Sequence, residues 1–238
     1  MLFTIKGQFP GDVLGASVDG AGFLNGDHHA DVVVGALGDG HSVMNPGLPQ
    51  FGIPPFRTDD DAGAVTLVYG PGVHRTFTAT GDNPLDGFGY SVRGAGDVNG
   101  DGFDDVIAGS LAIEFPHTGY ARVLSGVDGA ELYTFLRDLP TGSDFVSVAG
   151  AGDVNHDGFA DLIVASMHAG PEHPDVQVFS GADGSELFQF SAVDPVPAER
   201  FTVDGVGDVN GDGVDDFIVG VEQPLVGGGY AVLFVSRG

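Results

Sequence analysis

The chain has 238 residues, a mass of 24.3 kDa and a formal charge of −26, from 34 acidic residues against 8 Lys and Arg. A surface this negative repels phosphate groups, which argues against nucleic acids and anionic membrane surfaces as partners. The 42% hydrophobic content excludes a disordered chain. No apolar run reaches the roughly 20 residues of a membrane-spanning helix, so no membrane insertion is expected. The absence of Cys excludes disulfides, Cys-ligated zinc and thiol catalysis.

The predicted elements begin with a short strand at residues 1–7, which four copies of one sequence unit follow. The copies span approximately residues 8–80, 81–138, 139–193 and 194–238. Their aligned asparagines are Asn25, Asn99, Asn155 and Asn210, at intervals of 74, 56 and 55 residues. The first interval is longer because of an insertion at residues 38–61. Repetition without linkers predicts a single domain over residues 1–238.

Each copy has four short apolar segments, A to D, separated by turns rich in Gly, Asp and Asn, which is typical of strands and hairpins. In the second copy they read GFGYSVRGAGD, DVIAGS, GYARVLSG and ELYTFL. Segment B is almost continuously apolar, which predicts a strand buried between neighbouring sheets. Segment C alternates, with Ala121 and Val123 against Arg122 and Leu124, which predicts a strand half covered on each side.

Four-stranded units at this spacing predict an all-β fold, a β-propeller of four blades. The chain opens with LFTIKG, which matches segment D, and closes with GGYAVLFVSRG, which matches segment C. The N-terminal strand at residues 1–7 would therefore close the last blade. The result would be sixteen strands in a ring without a free edge.

Copies two to four carry the pattern D-x-N-x-D-G-x-x-D between segments A and B. Alternate side chains of a tight loop converge on one point, and the backbone carbonyl of the seventh position can complete the shell. Hard oxygen donors without His or Cys favour Ca²⁺ over zinc or copper, and Mg²⁺ is less suited because it needs a stricter octahedron. About three calcium ions are predicted. Their expected ligands are Asp97, Asn99, Asp101, Phe103, Asp105, Asp153, Asn155, Asp157, Phe159, Asp161, Asp208, Asn210, Asp212, Val214 and Asp216.

The first copy departs from this pattern. Phe23 replaces the first Asp and His28 replaces the Gly, so only Asn25, Asp27 and Asp31 remain. Calcium in this loop is expected to be weak or absent.

Two other interpretations of the loops compete with calcium binding. An EF-hand needs an acidic residue at loop position twelve, but these positions are Ala108, Val164 and Val219. Solvated turns held by Asx hydrogen bonds would explain one copy. Three copies in register, each with three carboxylates in nine residues, favour the calcium hairpin loop, because unneutralised carboxylates repel one another.

The unit F-x-x-x-V-x-G-x-G-D-V-N-G-D-G-x-x-D-x-I-V-G resembles the FG-GAP repeat of integrin α-subunit β-propellers and their bacterial relatives. Phe88-Gly89 matches the first half of that name, and Ala108-Gly109-Ser110 is a looser version of the second half. The resemblance covers essentially the whole chain. It implies a propeller with calcium in the A–B loops on one face and ligand contacts on the opposite face.

Integrin propellers have seven blades, whereas this chain has four units, so two assemblies satisfy the sixteen strands. One is a compact four-bladed monomer. The other is an eight-bladed homodimer in which two chains exchange their N-terminal strands. Small residues in the inner A strands, such as Gly94 and Ala95, permit tight packing near an axis. We favour the monomer at this stage.

The sequence differs most between copies in the B–C and D–A loops, which include residues 38–61, 111–119, 167–175 and 222–229. Such loops on a rigid scaffold carry binding functions. We expect an interaction or adhesion module whose ligand is an unidentified protein or glycan. No nucleophile elbow, phosphate loop or dinucleotide motif occurs, so we predict no enzyme. The alternative is a polysaccharide-acting enzyme with structural calcium, in which His168, Glu172 and His173 would act.

The predicted calcium loops also bear on location. Extracellular calcium modules bind the ion with Kd values of roughly 10⁻⁴–10⁻³ M, which cytosolic calcium does not reach. An extracellular, cell-surface or periplasmic location is therefore expected, although the opening MLFTIKGQFPGD shows no secretory signal.

Overall fold

The computed structural model describes residues 4–7, 12–38, 44–45, 56–57, 62–70, 76–84, 86–112, 119–136, 144–166, 176–190, 200–223 and 228–236. Every regular element in these ranges is a β-strand, which confirms the all-β class. Over the same ranges, no helix is long and apolar enough to span a bilayer.

The first blade is an antiparallel sheet interrupted by the insertion. Its first two strands are β1 (Leu14–Gly22) and β2 (Asp31–Ala36). Within the insertion, β3 (Met44–Asn45) and β4 (Phe56–Arg57) pair with each other. The blade is completed by β5 (Ala64–Val68) and β6 (Thr76–Thr80), so the order is β1-β2-β5-β6.

The second and third blades repeat this arrangement. The second has β7 (Ser91–Gly96), β8 (Asp105–Gly109), the short β9 (Leu111–Ala112), β10 (Tyr120–Leu124) and β11 (Glu131–Leu136). The third has β12 (Asp144–Gly152), β13 (Asp161–Ser166), β14 (Val176–Phe179) and β15 (Glu186–Phe190). Their sheet orders are β11-β10-β8-β7 and β15-β14-β13-β12-β9. Because β9 pairs with β12, it joins the second blade to the third.

The fourth blade has three strands in the described part of the chain: β16 (Arg200–Gly207), β17 (Asp216–Gln223) and β18 (Gly228–Phe234). The successive sheets confirm a β-propeller of four blades, with strands A to D in chain order in the first three blades and strands A to C in the described part of the fourth. Residues 4–7 form no strand, and Ile5 and Lys6 line a pocket with Thr66 and Thr76 of blade 1. Residues 1–3 lie outside the described ranges, so closure by the N-terminal strand stays a prediction.

The hydrophobic core lies between the blades as three separate clusters. One joins blades 1 and 2 around Leu67 and Val106, one joins blades 2 and 3 around Val123 and Leu162, and one joins blades 3 and 4 around Val178 and Phe217. Strand B supplies much of each cluster, and every residue of β8 and β13 is buried. The prediction of a buried strand B is therefore confirmed.

The prediction for segment C was wrong in blade 2. All five residues of β10 are buried, including Arg122. The charge is accommodated because the guanidinium forms ion pairs with Asp82 at 2.6 Å and Glu131 at 3.0 Å. It also lies about 5 Å from the ring centres of Phe88 and Tyr120, over which it stacks.

Candidate metal centre in the Asp-rich loops

Each Asp-rich loop connects strands A and B of one blade. Loop positions are counted from Asp97 as position one to Asp105 as position nine, and equivalent residues of the other blades take the same position. At position six, φ is 88° at Gly102, 92° at Gly158 and 89° at Gly213. Glycine adopts this left-handed conformation without steric cost, which allows the loop to turn back on itself.

The carboxylate at position one organises the start of the loop. In blade 2, Asp97 accepts hydrogen bonds from the backbone N–H groups of Gly100 at 2.7 Å, Asp101 at 3.1 Å and Gly102 at 2.9 Å. Asp208 accepts all three equivalent bonds in blade 4, and Asp153 accepts those from positions five and six in blade 3. Because these bonds favour the charged carboxylate, led by the bond from Gly213, the pKa of Asp208 is lowered from its ordinary value.

Positions three and five continue the same pattern. The side-chain oxygen of Asn99 accepts the N–H of Asp101 at 2.9 Å, and the Asp101 carboxylate accepts the N–H of Phe103 at 2.9 Å. The other loops repeat both bonds. Three Asx turns in register thus place the oxygens of positions one, three and five along one short stretch of backbone.

The carboxylate at position nine has a different environment, because it is almost completely buried in all four blades. One oxygen of Asp105 accepts the N–H of Val98 at 2.9 Å, and the other accepts the N–H of Gly126, just after strand C, at 3.0 Å. Each position-nine carboxylate therefore ties its loop to the end of strand C. The equivalent bonds are made by Asp31 with Leu24 and Gly70, by Asp161 with Val154 and Gly181, and by Asp216 with Val209 and Ser236.

Burial at position nine changes the proton affinity of the carboxyl groups. Desolvation is the largest cause that raises the pKa of Asp105 and of Asp161 to about 6, and the accepted backbone hydrogen bonds oppose it. The neighbouring carboxylate at position five adds to the increase in both loops. Burial also raises the pKa of Asp31. These groups lie in negative surroundings that a cation would relieve.

The donor set fits calcium in type and number. Each of loops two to four offers carboxylates at positions one, five and nine, an amide oxygen at position three and a backbone carbonyl at position seven, with no nitrogen or sulfur donor. In the described ranges, however, no three acidic or His side chains converge closely enough to form a metal-binding group. The carboxylates at positions one and five accept loop N–H groups instead. Coordination by the predicted residues therefore stays a prediction.

The first loop keeps the backbone pattern with a smaller donor set. His28 takes the conformation of the position-six glycine, with φ of 62°. Phe23 at position one is 53% exposed and contributes no carboxylate. Asp27 has one carboxylate oxygen that is buried without a hydrogen-bond partner, and its other oxygen lies 3.6 Å from the His29 ring.

Sequence reasoning treated position nine only as a ligand and missed that it holds the loop to strand C. One signal was available, because Asp31 is retained in the first loop although positions one and six are lost. The residues of the alternative catalytic site, His168, Glu172 and His173, lie outside the described ranges.

Comparisons with known proteins agree with this geometry. Residues 145–183 match the FG-GAP repeat, a stretch that runs from strand A to just beyond strand C of blade 3 and includes its Asp-rich loop. Integrin alpha-5 of Xenopus laevis is 28% identical over 196 residues, 73% of this chain and 19% of that protein. Integrin alpha-V of Gallus gallus is 28% identical over 225 residues, 85% of this chain and 20% of that protein. The resemblance to FG-GAP repeats is confirmed.

A further relative is integrin alpha-PS3 of Drosophila melanogaster, which is 29% identical over 169 residues. That match covers 64% of this chain and 15% of the relative. The chain thus spans about one fifth or less of the length of the integrin α-subunits that it matches.

Proposed function

We propose that this chain is a calcium-binding FG-GAP propeller that acts outside the cytoplasm as an adhesion or interaction module for a protein ligand. It has no catalytic role in this proposal. Calcium would be held by positions one, three, five and nine and the carbonyl of position seven in loops two to four. Three ions would change the formal charge from −26 to −20.

One observation carries the calcium proposal: three loops of different blades share the same backbone turn, the same hydrogen bonds from the N–H groups of positions five, six and seven, and the same oxygen ligands. Asx turns alone require only the side-chain oxygens at positions one, three and five, which accept loop N–H groups. Each loop has a further carboxylate at position nine, which is buried, and the charge of Asp101 adds to the raised pKa of Asp105. A divalent cation bound between these groups would remove the repulsion.

The location and the ligand rest on separate observations. Sites with Kd values of roughly 10⁻⁴–10⁻³ M fill outside the cytoplasm, and the similar proteins are integrin α-subunits. Strands B and C, like strands D and A, connect at the sheet ends opposite the Asp-rich loops. We therefore propose that the B–C and D–A connections, above all residues 38–61, contact the ligand.

The calcium proposal is tested by metal content and calorimetric titration. The protein is stripped with EDTA, exchanged into calcium and analysed, and three ions per chain are expected. Asp97→Ala, Asp153→Ala and Asp208→Ala should each remove one ion. Asp27→Ala is the matched control in the first loop and should leave three. Fewer than one ion per chain at millimolar calcium would end the calcium proposal.

The ligand proposal is tested separately. Binding of the chain to arrays of extracellular-matrix proteins and of glycans is compared with that of a variant in which residues 38–61 are replaced by a short Gly-Ser linker. Protein binding that is lost in this variant while three calcium ions remain supports the proposed face. Binding to glycans alone would replace the protein ligand, and binding that survives the replacement would exclude residues 38–61.

A further inference from the structure

The three contacts between neighbouring blades are built from the same parts. In each contact, the N–H of loop position eight donates to the carbonyl of loop position one in the preceding blade. These bonds are Asp104 to Phe23 at 3.0 Å, Ala160 to Asp97 at 3.0 Å, and Asp215 to Asp153 at 3.3 Å. The side of a blade that packs on the preceding blade is called its leading face here, and the side that packs on the following blade is its trailing face.

Glycines of strand A allow the blades to approach this closely. A Cβ atom at Gly94, Gly150 or Gly205 would lie within 3.0 Å of the backbone oxygen of the equivalent glycine in the preceding blade. At Gly20, the same position in blade 1, a Cβ atom would have no neighbour within 4 Å in the part of the chain that the structure describes. Blade 1 therefore has the glycine that allows close approach, but no described strand A of a preceding blade packs against it.

The leading face of blade 1 exposes apolar residues that are buried in every other blade. Val18 is 62% exposed, whereas the equivalent Val92, Val148 and Val203 are at most 4% exposed. Val32 is 40% exposed, and its equivalents are also at most 4% exposed; these are Val106, Leu162 and Phe217. The side chains are of the same kind, so the difference comes from the missing neighbour blade.

The trailing face of blade 4 shows the complementary difference. Val209 is 52% exposed, and its equivalents in the three other blades, Leu24, Val98 and Val154, are at most 3% exposed. Leu233 is 46% exposed, and its equivalents Leu67, Val123 and Val178 are at most 1% exposed. Apolar groups of this size are buried wherever the next blade is present.

In the described ranges, the backbone groups that form the inter-blade hydrogen bond are also without that bond on the leading face of blade 1 and the trailing face of blade 4. Among the described residues, the N–H of Ala30 at position eight of blade 1 and the carbonyl of Asp208 at position one of blade 4 lack the bond that joins the other blades. Gly211 of blade 4 likewise has open space, whereas Phe159 of blade 3 closely covers the equivalent Gly100 of blade 2. Each end therefore presents one half of the same contact.

We propose that a second copy of this chain docks on these two faces, so that the trailing face of blade 4 in each copy packs on the leading face of blade 1 in the other. A second copy is the favoured occupant because it offers both missing halves together. Two copies related by a twofold axis then form both contacts at once and leave neither face exposed. The resulting ring has eight blades, which lies within the range of known propellers.

The mass in solution tests this proposal without reference to calcium. The 238-residue chain is examined by sedimentation equilibrium at 0.15 M salt, in calcium and in EDTA, and twice the chain mass of 24.3 kDa is expected. Val18→Asp on the leading face and Leu233→Asp on the trailing face should each halve the measured mass. Ala130→Asp, at an exposed turn of blade 2, is the matched control and should leave the mass doubled.

Mixing the two variants separates a blocked face from a misfolded chain. The trailing face of Val18→Asp and the leading face of Leu233→Asp are both intact, so the mixture should form a heterodimer although each variant alone is monomeric. A single-chain mass for the unmodified protein would overturn the proposal, as would a mass above two chains. A dimer that survives both substitutions would place the interface elsewhere and would equally overturn it.

Discussion

The first Asp-rich loop and the three later loops follow the same backbone path but carry different donor sets. All four have the Asx turns at positions three and five and a buried carboxylate at position nine. Only the later loops have a carboxylate at position one and glycine at position six. Because Asp31 makes the same two backbone bonds as Asp105 without the position-one carboxylate, position nine serves the fold in its own right.

Positions nine and one therefore have different roles, which the sequence pattern alone does not distinguish. Position nine accepts two buried or partly buried N–H groups. Position one is an exposed or half-exposed carboxylate that the first loop does without. We therefore assign the shared positions to the folding of the A–B loop. The positions found only in loops two to four are those that we expect to decide calcium binding.

The largest expected effect is the loss of a position-nine carboxylate. Asp105→Ala leaves two buried N–H groups unsatisfied, at about 1 to 3 kcal/mol per group, so it should lower the free energy of unfolding by about 2 to 6 kcal/mol. Asp31→Ala leaves the buried N–H of Leu24 and the partly buried N–H of Gly70 without their partner and should cost less than Asp105→Ala. Urea denaturation in EDTA measures this loss. Only Asp105→Ala should also remove a calcium ion.

Asp128→Ala is the control, because its exposed side chain accepts one turn N–H, from Ala130. It should cost about 1 kcal/mol or less. If Asp31→Ala proves as mild as this control, the fold role assigned to position nine is wrong. If Asp31→Ala removes a calcium ion, the first loop is a metal site after all.

The next effect is the calcium contribution of a single loop. At 10 mM calcium and a Kd of roughly 10⁻⁴–10⁻³ M, one site adds about 1.4 to 2.7 kcal/mol to the free energy of unfolding. Asp97→Ala should remove that increment from the difference between calcium and EDTA. Asp27→Ala should leave the difference unchanged. If calcium stabilised the two variants equally relative to EDTA, the proposed difference in calcium binding between loops one and two would be wrong.

A gain of calcium binding in the first loop is a stricter test. Phe23→Asp with His28→Gly restores the missing positions one and six, and we expect four ions per chain and about 1.4 kcal/mol of added calcium stabilisation. A carboxylate at position one can lie beside the position-eight carboxylate of the next blade. Blade 3 already has this arrangement, because the N–H of Asp153 donates to the Asp215 carboxylate of blade 4 at 3.0 Å. Titration calorimetry counts the ions. His28→Gly alone should still give three.

Local features of the fold could be predicted from the sequence. Strands A to D and the hairpins between C and D follow from alternation and Asp-Gly turns, and Gly129 and Gly184 indeed have φ of 73°. The burial of Arg122 could not be predicted, because its partner Asp82 belongs to a distant part of the chain.

Exposure at the ends of the blade row could not be predicted either. Val18 and Val92 occupy the same position of the repeat and have the same side chain, yet one is exposed and the other is buried. The difference depends on the neighbouring blade, which the local sequence does not specify. The candidate site was likewise predictable only in part. The pattern predicted which oxygens lie in the loop, whereas the contact of position nine with the end of strand C became apparent only in the structure.

The smallest expected effect concerns position four, where blade 3 departs from blades 2 and 4. His156 has φ of 60°, whereas Gly100 and Gly211 hold the equivalent positions with φ of 73° and 80°. A non-glycine residue in this left-handed conformation costs about 1 to 2 kcal/mol, which a glycine would relieve. Glycine also has more conformational freedom in the unfolded chain, which lowers the free energy of unfolding by about 0.4 to 1 kcal/mol. His156→Gly should therefore stabilise the protein by about 0.5 kcal/mol in urea denaturation.

Gly211→His, made in the Val18→Asp background that is expected to be monomeric, is the matched reverse substitution. Among the described residues of the single chain a Cβ atom there has no neighbour within 4 Å, so only the backbone conformation opposes it. It should destabilise the protein by about 0.5 kcal/mol, with the calcium count unchanged. Gly100→His should cost more, because the Phe159 ring lies 2.6 Å from the position of its Cβ. If Gly211→His and Gly100→His proved equally costly, the packing of one blade on the loop of the next would contribute nothing at this position.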